Sequence, residues 1–197
     1  MNRVDNYLRD ARVRVALPWI PSGSRVLDIG CFDGRLFERL GPRLEFGLGV
    51  DTAIEAPVSA ERYELVPGAF PQVPDSGGAF DVVTFLAVLE HVPSDELTNW
   101  VQVCRGLLVP GGRVVATVPS PAVDRILDVA IKLRLMDGME ADQHHGVDPA
   151  EILDAFRNGG FDVVTSQRFQ VGLNNLFVLR SPDVTADESL VETAATT

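Results

Sequence analysis

Two acids and a glycine loop are the residues of this chain whose types and order suit chemistry. Asp28 precedes the loop Gly30-Cys31-Phe32-Asp33-Gly34, and Asp51 stands at the end of the next apolar segment. Glycine lets a backbone approach a ligand with no β-carbon in the way. A helix starting after the loop adds free N–H groups and a positive partial charge. A carboxylate at Asp51 is placed to accept hydrogen bonds from both hydroxyls of a ribose. Loop and acid together predict a site for a nucleoside-containing cofactor rather than a tight turn beside a solvated acid. The spacing Gly-x-x-x-Gly departs from the Gly-x-Gly-x-x-Gly turn of nicotinamide-binding folds. Asp28 would repel a pyrophosphate and suits a ligand that brings an ammonium group to the loop.

The three histidines are the candidates for proton transfer, since imidazole titrates near neutral pH. His91 follows Leu89-Glu90, where holding the loop by hydrogen bonds is the first reading. His144 and His145 lie in Glu140-Ala141-Asp142-Gln143-His144-His145-Gly146. Neighbouring residues point different ways, so one of the pair is expected to face a pocket, as a base or as a loop-stabilising group. The pair lacks the i, i+4 spacing of helical zinc ligands, and no metal is expected. Cys31 and Cys104 form no CxxC or zinc pattern, and Cys31 is expected to pack within the loop.

The elements that must position these residues alternate. Residues 4–17 read as an amphipathic helix ended by Pro18 and Pro21, and Arg3, Arg9, Arg12 and Arg14 read as its solvated face. Strands are expected at 24–29, 46–50, 63–66, 80–85 and 113–118, and helices at 33–40 and 95–107, the latter capped by Ser94. Between Asp51 and Tyr63 the chain is too short for a full helix and contains Pro57, so a turn is expected. Helices at 122–134 and 149–158 and strands at 161–169 and 174–180 follow. The last two strands are joined by a connection too short for a parallel crossover, so the final strand should run antiparallel. Alternation of this kind predicts an α/β, mostly parallel sheet covered on both faces. The helix within 123–135 is apolar over most of its surface, which suits core packing, a lid or a dimer contact.

The bulk numbers fit one domain at 1–180, with an N-terminal helix in 1–20 and an acidic tail at 181–197 that is expected to be mobile. The net charge of −11, with 17 basic against 28 acidic residues, argues against a nucleic-acid partner. No stretch approaches the ~20 apolar residues of a membrane span. The N-terminus lacks the apolar run of a signal peptide, so a cytoplasmic monomer or homodimer is expected.

Four motifs carry a resemblance. Val26-Leu27-Asp28-Ile29-Gly30-Cys31-Phe32-Asp33-Gly34 resembles the first motif of the class I S-adenosylmethionine-dependent methyltransferases, and Gly49-Val50-Asp51 resembles their second. Phe80-Asp81-Val82-Val83-Thr84-Phe85-Leu86-Ala87-Val88-Leu89-Glu90-His91-Val92 resembles the strand-four motif of the branch that includes the ubiquinone-biosynthesis O-methyltransferases. Leu107-Leu108-Val109-Pro110-Gly111-Gly112-Arg113 resembles the turn before their fifth strand. The resemblance implies a doubly wound, Rossmann-like sheet of seven strands with an antiparallel last strand and helices on both faces. It implies S-adenosylmethionine as cofactor and S-adenosylhomocysteine as product. Implied cofactor contacts are Asp28, Gly30, Cys31, Phe32 and Gly34 in the loop, and Asp51 and Thr52 after the second strand. Leu86, Ala87 and His91 are implied on the methionine side, and Ala69 and Phe70 beside the adenine. Two positions depart from the pattern. Phe32 replaces a glycine, and Gly68-Ala69-Phe70 stands where an acid often meets the adenine amino group. Adenine is then expected on backbone groups and on Phe70.

The implied function is methyl transfer to a small-molecule acceptor, with O-methylation favoured. The cofactor carries the reactive group, so the protein chiefly positions the acceptor and excludes water. A hydroxyl acceptor also needs a base, and the family places the segment holding His144 and His145 on the acceptor side. Two other readings stay open: a cofactor-binding module without turnover, and a nucleotide-cofactor oxidoreductase, which the glycine spacing disfavours. If one of the pair is the base, His144→Ala or His145→Ala lowers turnover at neutral pH by about 10²-fold or more. Wild-type turnover in both variants rejects the assignment.

Overall fold

The computed structural model describes residues 3–74, 78–120 and 147–183. The chain opens with helix α1 (Arg3–Ala16), whose buried residues Val13 and Ala16 lie on one side, and then meets strand β1 (Ser24–Ile29). Five of the six β1 residues are buried, as befits a strand covered on both faces. Helix α2 (Arg35–Leu40) follows and ends at Gly41, whose N–H is donated to the Phe37 carbonyl. Strand β2 (Leu44–Asp51) leads through the two-residue strand β3 (Val58–Ser59) to β4 (Tyr63–Pro67). No helix intervenes, in keeping with the short, proline-containing link.

Strand β5 (Phe80–Leu86) comes next, then helix α3 (Leu97–Leu107) and strand β6 (Leu108–Pro119). The helix starts later than Ser94 suggests. Glu96 holds the cap position without a side-chain hydrogen bond, and residues 93–96 form a turn in which Glu96 N–H meets the Pro93 carbonyl. Strand β6 is likewise longer than residues 113–118. Pro110-Gly111-Gly112 is a bulge inside it, where the register with β5 slips between Phe80 and Val82.

Helix α4 (Pro149–Asn158) begins with a side-chain cap, the Asp148 carboxylate accepting the Ala150 N–H at 2.8 Å. Its C-cap is Gly159, where an added β-carbon would stand 2.2 Å from Val101 Cγ1, so α4 sits directly on α3. Strands β7 (Asp162–Phe169) and β8 (Asn174–Arg180) form the final hairpin. The segment expected as a helix at 122–134 lies outside the described residues. Ser181, the first residue of the expected tail, is buried, its N–H is donated to the Gly112 carbonyl, and Gly111 N–H is donated to the Pro182 carbonyl. Residues 184–197 lie outside the described residues.

One sheet holds eight strands in the order β3-β4-β2-β1-β5-β6-β8-β7. The eighth, beyond the expected seven, is the short edge strand β3. Strand β8 is antiparallel to both β6 and β7, as the short last connection requires, and the pairs from β4 through β6 are parallel. Alternate residues feed two cores. Leu27, Ile29, Val83, Phe85, Phe177 and Leu179 pack under α3 and α4. Val26, Val82, Leu176 and Val178 pack under α1 and α2. Chain order reverses between β1 and β5, which opens a crevice at their carboxyl ends. No helix among the described residues is long and apolar enough to cross a membrane.

Phe156 anchors α4 to the sheet. It is 1% exposed and stands edge-on to Phe161 at 5.3 Å. Phe156→Ala is expected to lower unfolding stability by about 3–5 kcal/mol, read from urea melts, because the cavity left behind cannot fully collapse.

Candidate functional site

The crevice is built around a buried acid. Asp28 pairs in register with Thr84 across β1 and β5, and the Thr84 hydroxyl is donated to Asp28 Oδ1 at 2.5 Å. Asp28 is 3% exposed. Burial pushes its carboxyl up to about 7, the Thr84 hydrogen bond pulls it down, and the charge of Asp51 adds to the rise. This carboxyl is poised to become a stable anion once a cation arrives beside it.

The loop after β1 needs its glycines. Gly30 has φ +73°, and a β-carbon there would stand 2.5 Å from Val88 Cγ2, on the turn after β5. Gly34 has φ +76° and closes the loop by donating its N–H to the Cys31 carbonyl. Cys31 is buried against Gly49, where a β-carbon would lie 2.6 Å from its sulfur. Burial and nearby acids push the Cys31 thiol far up, so it carries no thiolate. Phe32 adopts φ +51°, and its ring is 49% exposed.

Asp51 ends β2 facing this loop. Its Oδ2 accepts the Phe32 N–H and its Oδ1 the Ala53 N–H, each at 2.8 Å. Each oxygen keeps a further lone pair for a ligand hydroxyl. Thr52 is exposed beside it. Pairing of β2 with β4 brings Gly68 alongside, with its N–H donated to the Asp51 carbonyl, and Ala69 is exposed next to it. Phe70 differs from its expected place. Its ring is 7% exposed and packs on Phe85 and Trp100, with centroids at 5.5 and 4.7 Å. It is committed to the core under α3, so its ring is not presented at this corner.

The third wall comes from α1 and the turn after β5. Arg9, Arg12 and Val13 line a narrow cavity with Asp28, Gly30, Cys31, Phe32, Arg35, Leu36 and Leu86. The arginine cluster, expected to be solvated, is thus divided: Arg14 is exposed, while Arg9 and Arg12 turn toward the loop. Their i, i+3 spacing on the side of Val13 is the signal in the sequence that identifies them. Arg12 Nε, Arg35 Nη1 and Glu90 Oε2 are buried with no hydrogen-bond partner among the described residues. Burial lowers the Arg12 pKa, while the charge of Glu90 raises it. Burial pushes Glu90 up to about 7, against a backbone hydrogen bond and the attraction of Arg12.

Ala87, at φ +64°, donates its N–H to the Thr117 carbonyl and turns the chain after β5. In the short 3-10 turn Leu89–His91, His91 is exposed and Glu90 is the more buried of the two. Glu90, Arg12 and Arg35 are site residues that the motifs alone did not assign. His144 and His145 lie outside the described residues. Among the described residues, no group of three or more His, Cys, Asp or Glu is placed to hold a metal ion.

Both raised carboxyls have a stated consequence. The folded chain holds more protons than the unfolded chain between about pH 4 and pH 7, so stability falls as pH rises through that window and levels above it. Asp28→Asn and Glu90→Gln are each expected to flatten this slope in urea melts. An unchanged slope in both variants contradicts the burial argument.

Comparison with known proteins agrees with this geometry. A family model described as a methyltransferase domain matches residues 2–166. A ubiquinone biosynthesis O-methyltransferase of Acinetobacter baylyi is 29% identical over 154 residues, covering 71% of this chain and 63% of that protein. One from Nitrosococcus oceani is 33% identical over 159 residues, covering 72% and 65%. The chain therefore spans somewhat under two thirds of the length of these relatives. Among solved structures, a magnesium protoporphyrin IX methyltransferase from Synechocystis with bound S-adenosylhomocysteine superposes with a TM-score of 0.63 at 20% identity, covering 92% of this chain and 88% of that one.

Proposed function

This chain belongs to the class I S-adenosylmethionine-dependent methyltransferase family, and from that premise we propose that it moves a methyl group from S-adenosylmethionine to an oxygen of a small-molecule acceptor. The observation that carries this reading is a buried acid, Asp28, lining one cavity with Gly30, Arg12 and Arg35, where Arg12 Nε and Arg35 Nη1 are buried without a hydrogen-bond partner among the described residues. An α-amino acid group presents one ammonium and one carboxylate, and this cavity offers Asp28 to the first and Arg12 to the second. Asp51 serves the ribose hydroxyls, and the backbone at Gly68 and Ala69 serves the adenine.

The chemistry supplied by the cofactor is a sulfonium methyl open to in-line attack. The chain's own residues bind and orient. Gly30, lacking a β-carbon, lets the backbone close on the ligand, and Val88 fills the space behind it. Asp28 stays ionised beside a bound ammonium, since a neighbouring cation favours the charged carboxylate. Leu86 and Val13 keep the inner wall apolar and limit water. The names of the relatives support an oxygen acceptor; a hydroxyl needs a base, and His144 or His145 is the proposed one.

Calorimetric titration tests the cofactor assignment. S-adenosylhomocysteine is expected to bind and NADH is not. Asp51→Asn is expected to weaken S-adenosylhomocysteine by about 10-fold or more, through loss of charged hydrogen bonds to the ribose. Wild-type affinity should rise between about pH 6 and pH 8 as Asp28 ionises, and Asp28→Asn should lack that rise. Release of S-adenosylhomocysteine on incubation with S-adenosylmethionine and a panel of small phenols, carboxylic acids and amines then separates oxygen from nitrogen acceptors. Release with amines alone rejects the oxygen assignment.

A further inference from the structure

Phe32 raises a question that cofactor binding alone does not answer. A phenylalanine in a left-handed conformation is strained, and a half-exposed ring gains little from burial. The ring's partner is Arg9. The Arg9 guanidinium lies 4.7 Å from the Phe32 ring centroid, within the range of a cation–π contact. The same guanidinium pairs with the carboxylate of the next residue, Asp33. One side chain of α1 is thus held by two consecutive residues of the glycine loop. A second link lies beside it, with Asp10 meeting both Arg35 and Arg39 at 3.4 Å.

Each of these contacts is weak at a surface. Their effect lies in direction rather than in strength. Arg9 and Arg12 are three residues apart and share a helix face, so fixing Arg9 over the loop fixes where Arg12 points. Arg12 lies on the same cavity wall, its Nε buried with no hydrogen-bond partner among the described residues.

We propose that Arg9 is a positioning residue: its stack on Phe32 and its pairing with Asp33 hold α1 so that Arg12 meets the carboxylate of the cofactor's amino-acid tail. This rests on the cofactor reading above. It assigns Phe32 a purpose at the position where the family often has glycine. The ring is a seat for the helix.

The test uses two ligands. S-adenosylhomocysteine carries the amino-acid tail, and 5′-methylthioadenosine keeps the nucleoside and lacks the tail. Arg9→Ala and Phe32→Gly are each expected to weaken S-adenosylhomocysteine about fivefold while leaving 5′-methylthioadenosine unchanged. Phe32→Tyr, which keeps the ring, should retain wild-type affinity. In an Arg12→Ala background, adding Arg9→Ala should cause no further loss, because the residue it positions is gone. The proposal is overturned if Arg9→Ala weakens both ligands equally or neither. It is also overturned if Arg9→Ala costs the same factor with Arg12 already removed. A wild-type chain that binds neither ligand rejects the cofactor reading before any variant is compared.

Discussion

Between β1 and β5 an acid lies in a plane of apolar side chains with one hydroxyl as its hydrogen-bonded companion. The Asp28–Thr84 pair follows from parallel register, which sets the two residues opposite each other and turns both side chains to the face under α1 and α2. Taking a carboxylate out of water is unfavourable unless a cation or several donors meet it. With one donor, the group is pushed up to about 7. Much of the surrounding site reads as the answer to that unfavourable burial. The loop borders a narrow cavity whose α1 wall holds cationic groups, an arrangement that suits the zwitterionic tail of the proposed ligand.

The same geometry explains why the fold takes this course. A site at the reversal of strand order needs β1 and β5 in the centre and a helix that starts beyond the loop. The chain meets the first need with strands buried on both faces. It meets the second with a short α2 led in by Gly34 in a left-handed conformation. On the other side of β1, the usual crossover helix is missing and β3 stands at the edge as two exposed residues. The corner at Asp51 is therefore bordered by the β2 and β4 strand ends, with no helix between them in the chain.

Most of this architecture was legible in the sequence because it is local. The alternation of apolar strands with helices, the short link after Asp51 and the short last connection each reduce to a few neighbouring residues. The glycine loop and Asp51 were legible for the same reason. What was not legible depended on which way a side chain turns. Phe70 follows its strand closely enough to suggest an adenine contact, yet its ring meets Phe85 and Trp100 instead. Arg9 and Arg12 looked like part of a solvated cluster, and only the docking of α1 on the loop divides them from Arg14. Glu90 sat unassigned beside His91, since nothing in the order Leu89-Glu90-His91 says which of the two acid–base groups is turned inward. The late start of α3 reflects a turn at Pro93 that competes with the cap expected at Ser94.

The interlock between Gly30 and Val88 also bears on how such a site changes over generations. A methyl group at position 30 would need the space that Val88 Cγ2 holds 2.5 Å away. Val88 is free to shrink while Gly30 stays as it is. Gly30 cannot grow until Val88 has shrunk, and its left-handed backbone still resists the change afterwards. The order of substitutions is therefore fixed in one direction. Two residues nearly sixty positions apart, one in the glycine loop and one after the fourth parallel strand, are thus tied to each other in one direction only.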